Sequence, residues 1–176
     1  MKNFDAQDRG SAPPQTKRDH AEHTVVVKAS VEPVFAWLDD QVRLAQHMSK
    51  RSWKMGWGKM EVELDAQRGR AAGSHIVLHG RILGVRLFLD EVVIERRPPL
   101  KKSWETVGEP RLLVIGPYRM GFELESIGAT SRLRVSIDYQ MPTKGMSRLL
   151  GRMFGRAYAK WCVRQMAEDA QRSFMK

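Results

Sequence analysis

The side chains able to move protons in this chain are scattered. His75, His79, Arg81, Glu105, Tyr118 and Tyr139 are the candidates that fall within regularly patterned segments. Acid–base work needs such a group to point into a secluded space with a tuned pKa. His75 and His79 share a face of any strand that holds both, but four residues at about 3.3 Å each set them too far apart to share one metal ion. Whether that face is inner or outer depends on Ile76, Leu78 and Ile82; if these point inward, both histidines face solvent. Glu105, between Trp104 and Thr106, is either a cavity carboxylate or an outward strand residue. Tyr118 and Tyr139 suit ligand positioning or core capping through their hydroxyls better than proton abstraction near neutral pH. The catalytic candidates are therefore Glu105, Tyr118, Tyr139 and His79. The sequence has no Walker loop, dinucleotide fingerprint, nucleophile elbow or Cys/His zinc spacing. Its single cysteine, Cys162, rules out an internal disulfide and a cysteine metal cluster. No metal site and no cofactor are expected.

These residues must be held by short strands. Thr24 to Ala29 is β-branched and reads as a strand. Ser30 then offers an N-cap and Pro33 a first turn, so Val34, Phe35, Trp37 and Leu38 become the apolar face of a short helix ending near Asp39 and Asp40. A second short helix is expected over Gln41 to Met48, followed by a loop from Lys50 to Lys59. From Met60 the period changes to two: Met60, Val62 and Leu64 alternate with acidic residues. Strands follow over Ser74 to Leu83 and Val85 to Arg96, with apolar residues on more than one face. After Pro98-Pro99 a strand runs from Lys101 to Val107, and Gly108-Glu109-Pro110 reads as a turn. Tyr118, Met120, Phe122 and Leu124 form one clear inner face, and Leu133, Val135, Ile137 and Tyr139 another.

Residues Pro142 to Lys176 read as one long amphipathic helix. Its apolar residues Met146, Leu149, Leu150, Met153, Phe154, Ala157, Tyr158, Trp161 and Met166 fall on one broad stripe and call for a partner surface. Arg148, Arg152, Arg156, Lys160 and Arg164 repeat at intervals of four as a basic ridge. Gly151 and Gly155 permit either close approach to a sheet or a bend. The economical architecture is α+β: a curved antiparallel sheet of about six or seven strands, with two short helices, closing round one long C-terminal helix. Strands and helices do not alternate, which excludes a doubly wound nucleotide fold.

A chain of 176 residues with 42% apolar content supports one domain with one core. Residues 1–23 are poor in large apolar residues and read as a disordered tail, leaving 24–176 as the domain. No apolar run is long enough for a signal peptide or a membrane span, and the cysteine usage fits a cytoplasmic protein. The net charge of +10 is local: Lys144 to Lys176 holds eight basic residues against Glu168 and Asp169, and Arg43, Lys50, Arg51, Lys54 and Lys59 meet no acidic residue between Gln41 and Met60. Such patches are either solvated faces or sites for an anionic partner. Trp53 and Trp57 either close one end of the core or join Lys50, Arg51, Lys54, Arg148, Arg152, Arg156, Lys160 and Arg164 in a surface that suits an anionic membrane better than nucleic acid.

The segment Thr-Val-Val-Val-Lys-Ala-Ser-Val-Glu-Pro-Val-Phe-Ala-Trp-Leu-Asp-Asp at 24 to 40 is similar to the opening strand and helix of the START-like, or SRPBCC, superfamily, which includes polyketide cyclases and pollen-allergen-like carriers. The strand pattern and terminal helix extend the likeness over almost all of 24 to 175. The resemblance implies a helix-grip fold with a hydrophobic ligand, such as a lipid, quinone or aromatic, held between sheet and helix. The wall would consist of Met60, Val62, Tyr118, Met120, Phe122, Leu133, Val135, Ile137 and Tyr139 facing Met153, Ala157 and Trp161; the residues alone allow equally a filled core made of the same side chains. The residues leave three functions open: a hydrophobic carrier, a cofactor-independent cyclase or dehydratase with its Tyr, Glu or His converging on one point, and an interaction module for an anionic partner.

Overall fold

The computed structural model describes residues 18–44, 60–82 and 85–175. Seven antiparallel strands form one sheet in the order β1-β7-β6-β5-β4-β3-β2. In chain order these are β1 (Asp19–Val27), β2 (Met60–Leu64), β3 (His75–Ile82), β4 (Val85–Arg97), β5 (Lys101–Arg111), β6 (Tyr118–Ile127) and β7 (Thr130–Tyr139). Helix α1 (Val31–Leu38) follows β1, a helical turn covers 41–44, and α2 (Gly145–Ser173) closes the chain. The α+β helix-grip architecture expected from the sequence is the one observed. The loop 50–59, with Trp53, Trp57, Lys50, Arg51 and Lys54, lies outside the described residues, as do 45–48 of the expected second helix and residues 1–17 of the tail.

β1 starts at Asp19, five positions before the expected start at Thr24. Asp19 to His23 pair in register with Tyr139 to Val135 of β7. Their composition is polar because the outward residues face water: His20 bonds Asp138 (2.7 Å) and Glu22 lies 3.9 Å from Arg134, while Ala21 is buried. The expected turn at Gly108-Glu109-Pro110 is a bulge. β5 continues to Arg111, which pairs with Phe88, while Val107 pairs with Asp90, and Gly108 takes up a left-handed φ of 67°. Such an irregularity bends a strand pair and increases its twist, which curves the sheet towards α2.

The core lies on the concave face. Val27, Phe122, Leu133, Val135, Ile137 and Tyr139 are buried there, and α1 adds Val34, Phe35 and Leu38 at one end. Phe35 meets Phe122 edge-on at 5.5 Å, and Phe122 meets Trp104 at 6.5 Å. Edge-to-face pairs of this kind fix ring orientation as well as bury area.

The long helix turns a different side to the sheet from the one its large residues suggested. Gly151, Gly155, Ala159, Val163 and Ala167 are buried, whereas Met146, Leu149, Met153 and Phe154 are exposed. The reason is helical geometry. A step of four residues advances about 40° beyond a full turn, so rows of four wind slowly round the axis. The row of small residues faces the sheet first. The row through Leu150, Phe154 and Tyr158 rotates inward only at Cys162 and Ala170, which are buried. Of the two readings of Gly151 and Gly155, close approach is the one seen. A Cβ on Gly151 would sit 2.6 Å from Pro142 Cδ, and one on Gly155 would sit 2.8 Å from the Val114 carbonyl oxygen.

This close contact fixes a sign. Gly155→Ala should gain about 1 kcal/mol from helix propensity but lose about 1–3 kcal/mol to overpacking against a backbone atom that cannot yield. Urea denaturation should therefore show net destabilisation, and a stabilised variant would contradict the close contact.

Candidate functional site

β4 contributes an inward row of Leu87, Leu89, Glu91 and Val93, all buried. β5 contributes Lys102 and Trp104, also buried, and β6 contributes Tyr118. Register brings them together: Ile76 pairs with Glu91, Glu91 with Thr106, Val93 with Trp104, and Trp104 with Met120. The Tyr118 hydroxyl donates a short hydrogen bond to Glu91 Oε1. Among the described residues no cation touches Glu91. Burial pushes its carboxyl up to about 7, against the opposing pull of hydrogen bonds from Tyr118 and Trp104 and of the more distant Lys102 charge. A carboxyl in that range is present in both protonation states at neutral pH, the condition for giving or taking a proton. Burial and the Glu91 charge together hold the Tyr118 hydroxyl well above the ordinary phenol range. It remains a hydrogen-bond donor.

α2 faces this pair with Tyr158 and Cys162, one turn apart and hydrogen-bonded to each other. Burial pushes the Cys162 thiol up to about 12, so it is a neutral, inert group at physiological pH. The Tyr158 ring stacks on Trp161 at 5.9 Å.

Beside the pair is a second buried polar cluster. Asp39 caps the C-terminus of α1, where the helix dipole disfavours an anion. It is held there by cations. Arg96 donates through Nε and Nη2, the closest contact being 2.8 Å, and Lys102 Nζ donates at 2.8 Å. Burial raises the Asp39 carboxyl, but the bonds from Arg96 and Lys102 outweigh it and leave the group below its ordinary range. Lys102 is fully buried; desolvation lowers its ammonium and Asp39 offsets only part of that. Arg96 also lies over the Phe35 ring at 5.5 Å.

The expected catalytic side chains divide between the two faces. Tyr118 and Tyr139 pair across β6 and β7 on the inner face. Tyr139 is buried, which raises its hydroxyl above the ordinary value. Glu105 is on the outer face, bonded to Arg119 at 3.2 Å. His79 is outside too, 3.5 Å from Glu63, and His75 bonds Asp90 at 2.9 Å. The alternative in which Ile76 points inward and the histidines outward is the one observed. Glu105 and His79 therefore do not converge with the tyrosines. Glu91, which sequence reasoning missed, takes that place. Its signal was present: a glutamate inside the period-two row Leu87, Leu89, Val93.

Of the expected wall, Phe122, Leu133, Val135, Ile137 and Tyr139 are buried and Val62, Met120 and Tyr118 half-buried on the inner face. The Met60 side chain lies outside the described residues. Met153 and Ala157, expected to face the sheet, point to solvent for the winding reason given above, and Trp161 is half-buried. Arg148, Arg152, Arg156, Lys160 and Arg164 are all exposed.

Residues 18–171 match the family described as polyketide cyclase / dehydrase and lipid transport. Among solved structures, truncated norcoclaurine synthase from Thalictrum flavum is similar at 13% identity, with a TM-score of 0.62 over 94% of this chain and 99% of that one. The Zhui aromatase/cyclase from Streptomyces sp. R1128 is similar at 14% identity and a TM-score of 0.55, covering 89% of this chain and 95% of that one. Ara h 8.0201 is similar at 8% identity and a TM-score of 0.56, covering 88% and 98%. Identities this low establish a shared fold alone. No curated protein shows significant sequence similarity to the chain.

Proposed function

We propose, from the premise that the chain belongs to the polyketide cyclase / dehydrase and lipid transport family, that it binds a small hydrophobic molecule of lipid, quinone or aromatic polyketide type between the inner face of the sheet and α2. The polar end of that molecule sits at Glu91 and Tyr118. The observation that carries this reading is the Glu91–Tyr118 pair itself, a buried carboxyl bonded by the hydroxyl of a half-buried tyrosine in an apolar face, with no cation among the described residues in contact. Apolar walls with a few convergent polar groups are the usual composition of small-molecule sites. The reading places the protein in the cytoplasm and gives it no cofactor.

A second reading, turnover by cyclisation or dehydration, is favoured by one specific arrangement: the Tyr118 hydroxyl donates to a buried Glu91 carboxyl, which burial pushes up to about 7. Glu91 would take or return the proton at the reacting carbon or oxygen, while Tyr118 would donate a hydrogen bond to a carbonyl oxygen.

Native mass spectrometry of protein purified from its own host, followed by organic extraction, tests both readings. A stoichiometric apolar molecule recovered unchanged after incubation supports the carrier reading. Loss of one water by that molecule, abolished in Glu91→Gln with binding retained, supports the enzyme. Clean apo mass, together with no saturable binding of a fluorescent naphthalene or acyl probe, overturns both.

A further inference from the structure

The face of α2 that points away from the core has the wrong composition for water. Met146, Leu149, Met153 and Phe154 expose 77%, 61%, 63% and 49% of their surface. They lie within three turns of one another, as a single stripe rather than as scattered residues. The fold keeps them there, because Gly151 and Gly155 seat the opposite side of the helix on Pro142 and Val114. The basic row Arg148, Arg152, Arg156 and Lys160 runs along one edge of this stripe and, advancing about 40° with each step, crosses below it at Lys160. From Lys144 to Ala167 there are six basic residues and no acidic one. Among the described residues Arg156, which is highly exposed, reaches only Asp19, at 3.9 Å.

We infer that the outward face of the first half of α2 docks on an anionic lipid bilayer. Apolar side chains flanked by long cationic ones suit an interface: the methionines, leucine and phenylalanine enter the acyl boundary while the guanidinium groups reach the headgroup phosphates. Each Lys or Arg near such a surface strengthens binding roughly fivefold. A second copy of this chain would bring two like-charged ridges together, so self-association is disfavoured. A nucleic acid would have no use for the aliphatic stripe. The helix thereby has two working sides, one against the bilayer and one, with Tyr158, beside Tyr118. This inference does not depend on the identity of the interior ligand.

The test is co-sedimentation of the full chain with phosphatidylcholine vesicles and with mixed phosphatidylcholine and phosphatidylglycerol vesicles, at low and high salt. Expected is binding at least about tenfold stronger to the anionic vesicles, weakened by salt and not displaced by soluble glycerophosphate. Replacing Met146, Leu149, Met153 and Phe154 together by serine should abolish sedimentation while the circular dichroism spectrum and Tm are unchanged, since those side chains are outside the core. Equal binding to neutral and anionic vesicles overturns the inference. So does displacement by glycerophosphate, or binding that survives the serine variant and falls only in Arg148→Gln/Arg152→Gln, because these mark a phosphate site or an acidic protein partner instead. Mass spectrometry on the same variants reads the interior ligand separately.

Discussion

Asp39→Ala is expected to cost about 3–5 kcal/mol of stability, because it leaves Lys102 charged and fully buried with no counter-ion in contact among the described residues. Arg96 can turn towards solvent; Lys102 cannot. The effect has a pH signature. The Asp39 carboxyl sits below its ordinary value in the fold, so its contribution is present above the unfolded-state pKa and is lost as pH falls through the lower, folded-state value. The difference between wild type and Asp39→Ala should therefore be largest near neutrality and shrink in strong acid. Urea denaturation at neutral and at acid pH measures it. The double variant Asp39→Leu/Lys102→Met, which removes both charges, should recover most of the loss, since an apolar pair of similar volume often replaces a buried ion pair without penalty. A loss below about 1 kcal/mol for Asp39→Ala would mean that the ammonium finds water or another acceptor.

Glu91→Gln should act in the opposite direction. In the unfolded chain the carboxyl releases its proton near the ordinary glutamate value of about 4.5; in the fold it holds the proton to about 7. Between those values the unfolded state binds fewer protons, so stability falls as pH rises, and above 7 the full penalty is present. The separation of about 2.5 units (7 − 4.5), at about 1.4 kcal/mol per unit, amounts to roughly 3.5 kcal/mol. The substituted amide carries no charge and escapes it. The variant should melt at a higher temperature than wild type at about pH 8.5 and at nearly the same temperature at about pH 5. Parallel melting curves at both pH values would mean that Glu91 titrates as an ordinary surface carboxyl. Keeping a destabilised carboxyl inside a core is the pattern of a site in which activity and stability compete.

The architecture was legible in the sequence because period-two alternation survives wherever one strand face is buried and the other wet, as in β6 and β7. The same rule failed in β4. Phe88 and Val92 on the outer side carry the same apolar character as Leu89 and Val93 on the inner, and the register shifts between Val93 and Glu95, so the row containing Glu91 was hidden by its neighbours. α2 failed for a different reason. Its largest residues mark the stripe most in need of cover, whereas the sheet takes the smallest ones, since close packing of helix on sheet favours residues that let the backbones approach. Asp39 and Lys102 were illegible because their partnership is purely tertiary, linking a helix end to a mid-sheet strand 63 positions away.

The pairing of β1 with β7 also bears on how the molecule comes to be folded. The first described strand lies at the edge of the sheet next to the last, with Asp19 opposite Tyr139, while the other strand pairs join neighbours in sequence. During synthesis the hairpins from β2 to β6 can form as they emerge, but β1 must wait for β7, and α2 packs on both of these late partners. Closure of the long loop between the chain's ends is then the slow, entropically costly event. A nascent chain halted before β7 holds an unpaired strand and an uncovered apolar face, the state in which chaperones would meet it.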